Sequence, residues 1–115
     1  MRVLIAGATG LVGKKLVELC HEDGIEVYYL TTDKKKIQDK PNYKGFYWSI
    51  KEQYIDTRAF DGVTTLINLA GFPVSNRWTK RNKELIYSSR IDATNLLHFY
   101  LKRITHNLVH YICAS

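Results

Sequence analysis

Apolar and polar positions fall along this chain in blocks that predict strands and helices in alternation. Val3 to Ala6 is an unbroken apolar run, the pattern of a strand buried on both faces. From Leu11 to Asp23 the period lengthens: Val12, Leu16, Leu19 and Cys20 recur at spacings of three and four, as one apolar face of a helix, and Gly24 is a stop signal. Ile25 to Thr31 predicts a second strand. Beyond Pro41 and Gly45, the aromatic run Phe46, Tyr47 and Trp48 predicts a short third strand, and Thr57 to Phe60 a short helix. Val63 to Leu69 has the strongest strand pattern after the first, and it ends in Ala70 and Gly71. Thr79 suits the N-cap of a long helix reaching about Arg103, with Ile86, Ala93, Leu97, Tyr100 and Ile104, and Leu96 beside them, on its apolar face. Leu108 to Ala114 reads as a last strand.

The chemistry in this pattern lies where the first strand meets the first helix. Gly7, Gly10 and Gly13 stand there at fixed offsets: Gly7 to turn sharply, Gly10 to admit the backbone to a pyrophosphate, Gly13 to let helix pack on strand. The free N–H groups at the start of such a helix favour an anion by about 0.3–1 kcal/mol, so phosphate fits this turn and a neutral ligand gains little. The pattern predicts a dinucleotide site. The end of the second strand then chooses between NAD and NADP, because the residue there meets the adenosine ribose. Here it reads Leu30, Thr31, Thr32, Asp33 and Lys34 to Lys36. Two hydroxyls and three lysines favour the phosphate of NADP. Asp33, roughly 20 residues beyond Gly13, keeps NAD open, and the lysines are equally read as a solvated loop. Small residues at Ala70 and Gly71 would let the cofactor lie across the end of a central strand.

Composition narrows the classes. At 115 residues, 45% hydrophobic and 24% charged, the chain has the make-up of one globular domain. No apolar run approaches the roughly 18 residues that cross a bilayer. A secretory leader is argued against by three glycines in seven residues followed by Lys14, Lys15 and Glu18. The net charge of +6 and eight tyrosines raise nucleic acid as a partner. The basic residues are scattered, at Lys14 and Lys15, Lys34 to Lys36, Lys80 to Lys83 and Lys102 with Arg103, without a reading motif, so none is expected. Cys20 and Cys113 sit in helix and strand patterns as small hydrophobes, reduced and cytoplasmic. His21, His98, His106 and His110 lack metal-ligand spacing, and no metal is expected.

The chain resembles extended short-chain dehydrogenases/reductases of the NAD-dependent epimerase/dehydratase type, the nucleoside-diphosphate-sugar epimerase-like group. The residues carrying this are GATGLVG at 7 to 13, NLAG at 68 to 71, RWT at 77 to 79, Lys83, SRI at 89 to 91 and Thr94. The resemblance runs the length of the chain and matches the N-terminal part of the family's domain. It implies cofactor contacts from Gly7, Thr9, Gly10, Leu11, Val12 and Gly13, from Thr31, Thr32 and Lys34, and from Leu69, Ala70, Gly71 and Arg90. It sets Arg77, Trp78 and Lys83 along the cleft and places Ser115 at the catalytic serine. Many relatives have arginine where this chain has Thr32, and an acid where it has Ser49. Their Tyr-x-x-x-Lys pair, which exchanges a proton with the substrate hydroxyl, comes later than the fifth strand, and no pair at that spacing is expected in this chain.

The expectation is therefore an α/β fold: the N-terminal part of a Rossmann-type domain over residues 1–115, with a parallel sheet in the order 3-2-1-4-5, helices on both faces, and truncation after the fifth strand. It would be the NAD(P)-binding portion, inactive alone, of an epimerase or reductase acting on a nucleotide-sugar or similar hydroxyl or carbonyl substrate. A module that binds a dinucleotide and senses redox state is the alternative. The last strand, left at the sheet edge, would pair two copies into a homodimer.

Overall fold

The computed structural model describes residues 1–7, 11–69 and 92–113, Leu11 and Cys113 by backbone alone. Strand β1 (Arg2–Ala6) passes into helix α1 (Leu11–Glu22), which ends as the Ile25 N–H closes on the Cys20 carbonyl at 2.8 Å. Strand β2 (Glu26–Thr31) follows, then a single 3-10 turn (Lys34–Lys36). Next come β3 (Asp39–Lys40), β4 (Tyr43–Ser49), β5 (Tyr54–Ile55), a second 3-10 turn (Thr57–Phe60) and β6 (Thr65–Asn68). Helix α2 is described over residues 92–101, and β7 (His110–Cys113) is the last element.

The long strands are parallel and lie in the order β4-β2-β1-β6-β7, which is the expected 3-2-1-4-5. Two short strands add an antiparallel element that periodicity did not predict: β3 pairs Lys40 with Tyr43, and β5 pairs Ile55 with Trp48, both on β4. At two residues each they are too short to carry an alternation. The third strand is longer than its aromatic run because Tyr43 and Lys44 also pair with Val27 and Tyr28.

The sheet divides the core in two. Alternate residues of β1 feed opposite faces: Val3 and Ile5 pack with Val17, Cys20 and Tyr29 under α1, while Leu4 and Ala6 pack with Leu30, Phe46, Trp48, Leu66 and the α2 residues Ala93, Leu96 and Leu97. Both faces of the central strands are thereby covered, which is why β1 reads as a continuous apolar run.

The buried face of α1 differs from its predicted one. Val17 and Cys20 are buried and Leu16 packs against them, whereas Val12 and Leu19 are 68% and 48% exposed. His21 marks the flank of α1 turned toward β4: its ring meets Tyr43 edge-on at 5.9 Å and its Nε2 lies 2.9 Å from the carbonyl of Asn42, the residue before β4. About 100° per residue separates this flank from the one carrying Val12, Leu16 and Leu19, so that apolar flank faces away from β4.

Candidate functional site

Register aligns the carboxyl ends of the strands. Ala6 stands opposite Leu30 on one side and Asn68 on the other, and Asn68 stands opposite Cys113. The residues that follow, Gly7, Thr31 and Leu69, therefore share one rim of the sheet. This is the rim at which ligands of open α/β sheets bind. Gly7 has φ +93°, a conformation costly for any residue with a Cβ, so the sharp exit from β1 requires glycine there. It leads toward the N-terminus of α1, which lacks an acid in its first turn. That end of the helix keeps its positive dipole for an incoming anion. Thr9 and Gly10 lie outside the described residues. Leu11 opens α1 and Gly13 lies within it, while Val12 is on the exposed flank.

At the neighbouring strand end, Thr31 is buried and its Oγ1 accepts the Asp33 N–H at 3.1 Å. Asp33 in turn caps the Lys34–Lys36 turn, its carboxylate accepting the Lys35 N–H at 2.9 Å. Two of the polar side chains that the sequence offered to an adenosine ribose, Thr31 and Asp33, thus also hold their own loop. Thr32 is exposed, and the Lys34 ammonium lies 4.7 Å over the ring of Tyr47, the register partner of Thr31. An open hollow of about 340 Å³ adjoins it, lined by Lys34, Gln38, Lys44, Tyr47 and Arg58 among others. Ser49 accepts the Glu52 N–H at 3.1 Å and closes the turn after β4.

The third strand end is held by a residue outside the predicted contact set. Asn68 is 3% exposed, and its amide nitrogen donates to Thr94 Oγ1 of α2 at 3.1 Å and to the Tyr111 hydroxyl of β7 at 3.2 Å. A buried asparagine in the run Thr65–Asn68 is itself a sequence signal, because such a group needs partners. Two residues quoted for the resemblance, Asn68 and Thr94, thus meet in space. Leu69 donates its N–H to the Ala6 carbonyl at 2.7 Å, carrying the β1–β6 ladder one residue past β6. Ala70, Gly71, Arg77, Trp78, Thr79, Lys83, Arg90 and Ser115 lie outside the described residues.

One pair in the sequence does have the Tyr-x-x-x-Lys spacing, Tyr47 and Lys51. Tyr47 lies in β4 with its ring against Lys34 and Tyr54, and Lys51 is exposed in the turn beyond. A strand followed by a turn does not set these two side chains one above the other as a helix would.

The family model described as NAD dependent epimerase/dehydratase family matches residues 3–115. The chain is 35% identical over 96 residues to the epimerase family protein SDR39U1 homolog, chloroplastic, of Arabidopsis thaliana, covering 83% of this chain and 28% of that protein. It is 32% identical over 94 residues to the epimerase family protein YfhF of Bacillus subtilis, covering 82% and 30%. Among solved structures it is similar to human epimerase family protein SDR39U1 (isoform 2) with NADPH, at TM-score 0.67 and 22% identity, covering 98% of this chain and 36% of that one. It is also similar to UDP-glucose 4-epimerase from Bifidobacterium longum in complex with NAD+ and UDP, at TM-score 0.75 and 18% identity, covering 100% and 37%. The chain spans under a third of the length of these two curated relatives.

Proposed function

The chain belongs to the NAD dependent epimerase/dehydratase family, and from that premise we propose that it forms the dinucleotide-binding part of an epimerase or reductase acting on a nucleotide-sugar or similar hydroxyl or carbonyl substrate. The observation that carries this reading is the exit from β1. Gly7 turns at φ +93° at the centre of a parallel sheet, between Thr31 and Leu69 on the same rim, and leads toward a helix start without an acid. A cofactor's pyrophosphate would lie over that turn. Thr9, Gly10, Leu11, Val12 and Gly13 would lie beneath it, and Ala70, Gly71 and Arg90 along the far side.

NADP is the favoured cofactor, with Thr31, Thr32 and Lys34 at the adenosine end. The bound nicotinamide would supply hydride transfer. This chain's own residues bind and orient it, and Ser115 would hold the substrate hydroxyl. Proton exchange falls to a tyrosine and lysine four apart that follow the fifth strand in relatives, so the chain is the N-terminal, cofactor-holding portion of that activity.

Titration with NADPH and NADH tests the reading: saturable binding of either is expected, and Gly10→Val should abolish it by filling the approach to phosphate. Failure of both cofactors to bind below about millimolar, some 4 kcal/mol, would overturn it. We further infer that β7, which has β6 as its one neighbour among the described residues, pairs with a second copy in a cytoplasmic homodimer.

A further inference from the structure

We propose that Tyr29 is a positioning residue for cofactor choice: its phenol fixes the Lys34–Lys36 turn at the adenosine end of the rim, and so sets a preference for NADPH over NADH. The inference rests on the cofactor reading above.

The connection from β2 to β3 contains only this one 3-10 turn. Its internal bonds are few: Lys36 N–H to the Asp33 carbonyl at 2.9 Å, Ile37 N–H to the Lys34 carbonyl at 3.3 Å, and the Asp33 cap on Lys35. A segment this short, with no buried residue in the turn, has no packing of its own to hold it against the sheet. Tyr29 supplies that hold. Its ring is fully buried in the sheet and stacked on Tyr43 at 4.5 Å, while its hydroxyl reaches out to the loop. It donates to the Lys36 carbonyl at 2.6 Å and accepts the Gln38 N–H at 2.8 Å, so the bonds bracket the end of the turn. Burial pushes the phenol above its usual range, which keeps the proton on the oxygen for the first of these bonds.

Gly45 makes the space for this ring. A Cβ there would lie 2.5 Å from the Tyr29 ring, closer than carbon atoms approach, and the Gly45 N–H donates to the Gln38 carbonyl at 2.8 Å. Glycine, tyrosine and turn therefore fit as one unit. The part of the turn nearest the rim is Lys34, whose ammonium lies over Tyr47, the register partner of Thr31. NADPH and NADH differ only in the ribose phosphate, so a shift of Lys34 registers in one cofactor and not the other. The ordinary worth of charge-assisted contacts makes that difference severalfold to tenfold in affinity.

The test uses the protein at its full natural length and measures binding of both cofactors to the wild type, Tyr29→Phe, Gly45→Ala and Lys34→Ala, with amide hydrogen exchange at Gln38. The wild type should prefer NADPH. Tyr29→Phe should weaken NADPH about five- to tenfold, leave NADH within about twofold, and speed exchange at Gln38, whose acceptor is gone. Gly45→Ala should act in the same way by displacing the ring. Lys34→Ala should lose the preference without changing Gln38 exchange. Equal weakening of both cofactors in Tyr29→Phe would reduce Tyr29 to a packing residue and overturn the proposal, as would faster Gln38 exchange with NADPH binding unchanged. A wild type that binds both cofactors equally overturns this proposal alone; one that binds neither overturns the cofactor reading beneath it.

Discussion

At the residue scale, Asn68 joins three elements with one amide. Its amide nitrogen bonds α2 and β7 from the end of β6, and the asparagine itself is buried. Removing it strands the Thr94 and Tyr111 hydroxyls, so Asn68→Ala should cost about 1–3 kcal/mol in urea denaturation, while Asn68→Asp introduces a buried charge and should cost more. Asp56 makes a different kind of contribution. The Arg58 guanidinium, bonded to its carboxylate at 2.6 and 3.0 Å, holds that carboxyl below its usual range, and the same carboxylate caps the Thr57–Phe60 turn through the Arg58 N–H. A group whose folded value is depressed stabilises the protein above its unfolded value and stops doing so as pH falls through the folded one. The urea midpoint should therefore decline below about pH 4, and Asp56→Asn, which keeps an acceptor but not the charge, should flatten that decline.

At the scale of elements, β1 was legible because burial on both faces left the continuous apolar run Val3 to Ala6, and β6 from the apolar positions spread over Val63 to Leu69. Thr57 to Phe60 was legible from its few apolar residues, Ala59 and Phe60, both of which are buried. What periodicity missed has physical reasons. The apolar flank of α1 is broader than its contact with the sheet, so spacing alone selected Val12 and Leu19 where packing selects Val17. Val17→Ala should destabilise by about 1–3 kcal/mol, whereas Leu19→Lys should stay within about 0.5 kcal/mol of the wild type in the same denaturation experiment. Of the candidate site, the glycine exit was readable because φ +93° leaves glycine as the residue of choice, and the parallel order followed from the alternation of strand and helix. The partners of Asn68, the double engagement of Thr31 and Asp33, and the Tyr29 anchor were not read from the pattern. The partners of Asn68 lie 26 and 43 residues away and are brought together by the fold, whereas Thr31, Asp33 and Tyr29 bond within their own loop, whose path apolar spacing does not specify.

For the molecule as a whole, the two ends of the sheet differ among the described residues. Beside β4 the short strands β3 and β5 occupy the outer edge, a device that blunts unwanted pairing. At the other end β7 has β6 as its one neighbour among the described residues, and Ile112 is 52% exposed on the face that carries Ile67. Concentration-dependent association is expected from this asymmetry. Light scattering should give a mass of two chains at high concentration, and Ile112→Lys should lower it; a monomer throughout, with β7 ordered, would remove the homodimer. No helix among the described residues is long and apolar enough to cross a membrane.

The central place of β1 also governs how the protein is made. Val3 pairs with Val27 on one side and with Thr65 on the other. Among the described strands β1 leaves the ribosome first, so it gains one partner early and waits for its second until some sixty residues later in the chain, a delay of several seconds at roughly 5–20 residues per second. Throughout that interval the most apolar strand of the fold presents an unpaired edge, so nascent chains stalled between β2 and β6 should be the species that a chaperone holds.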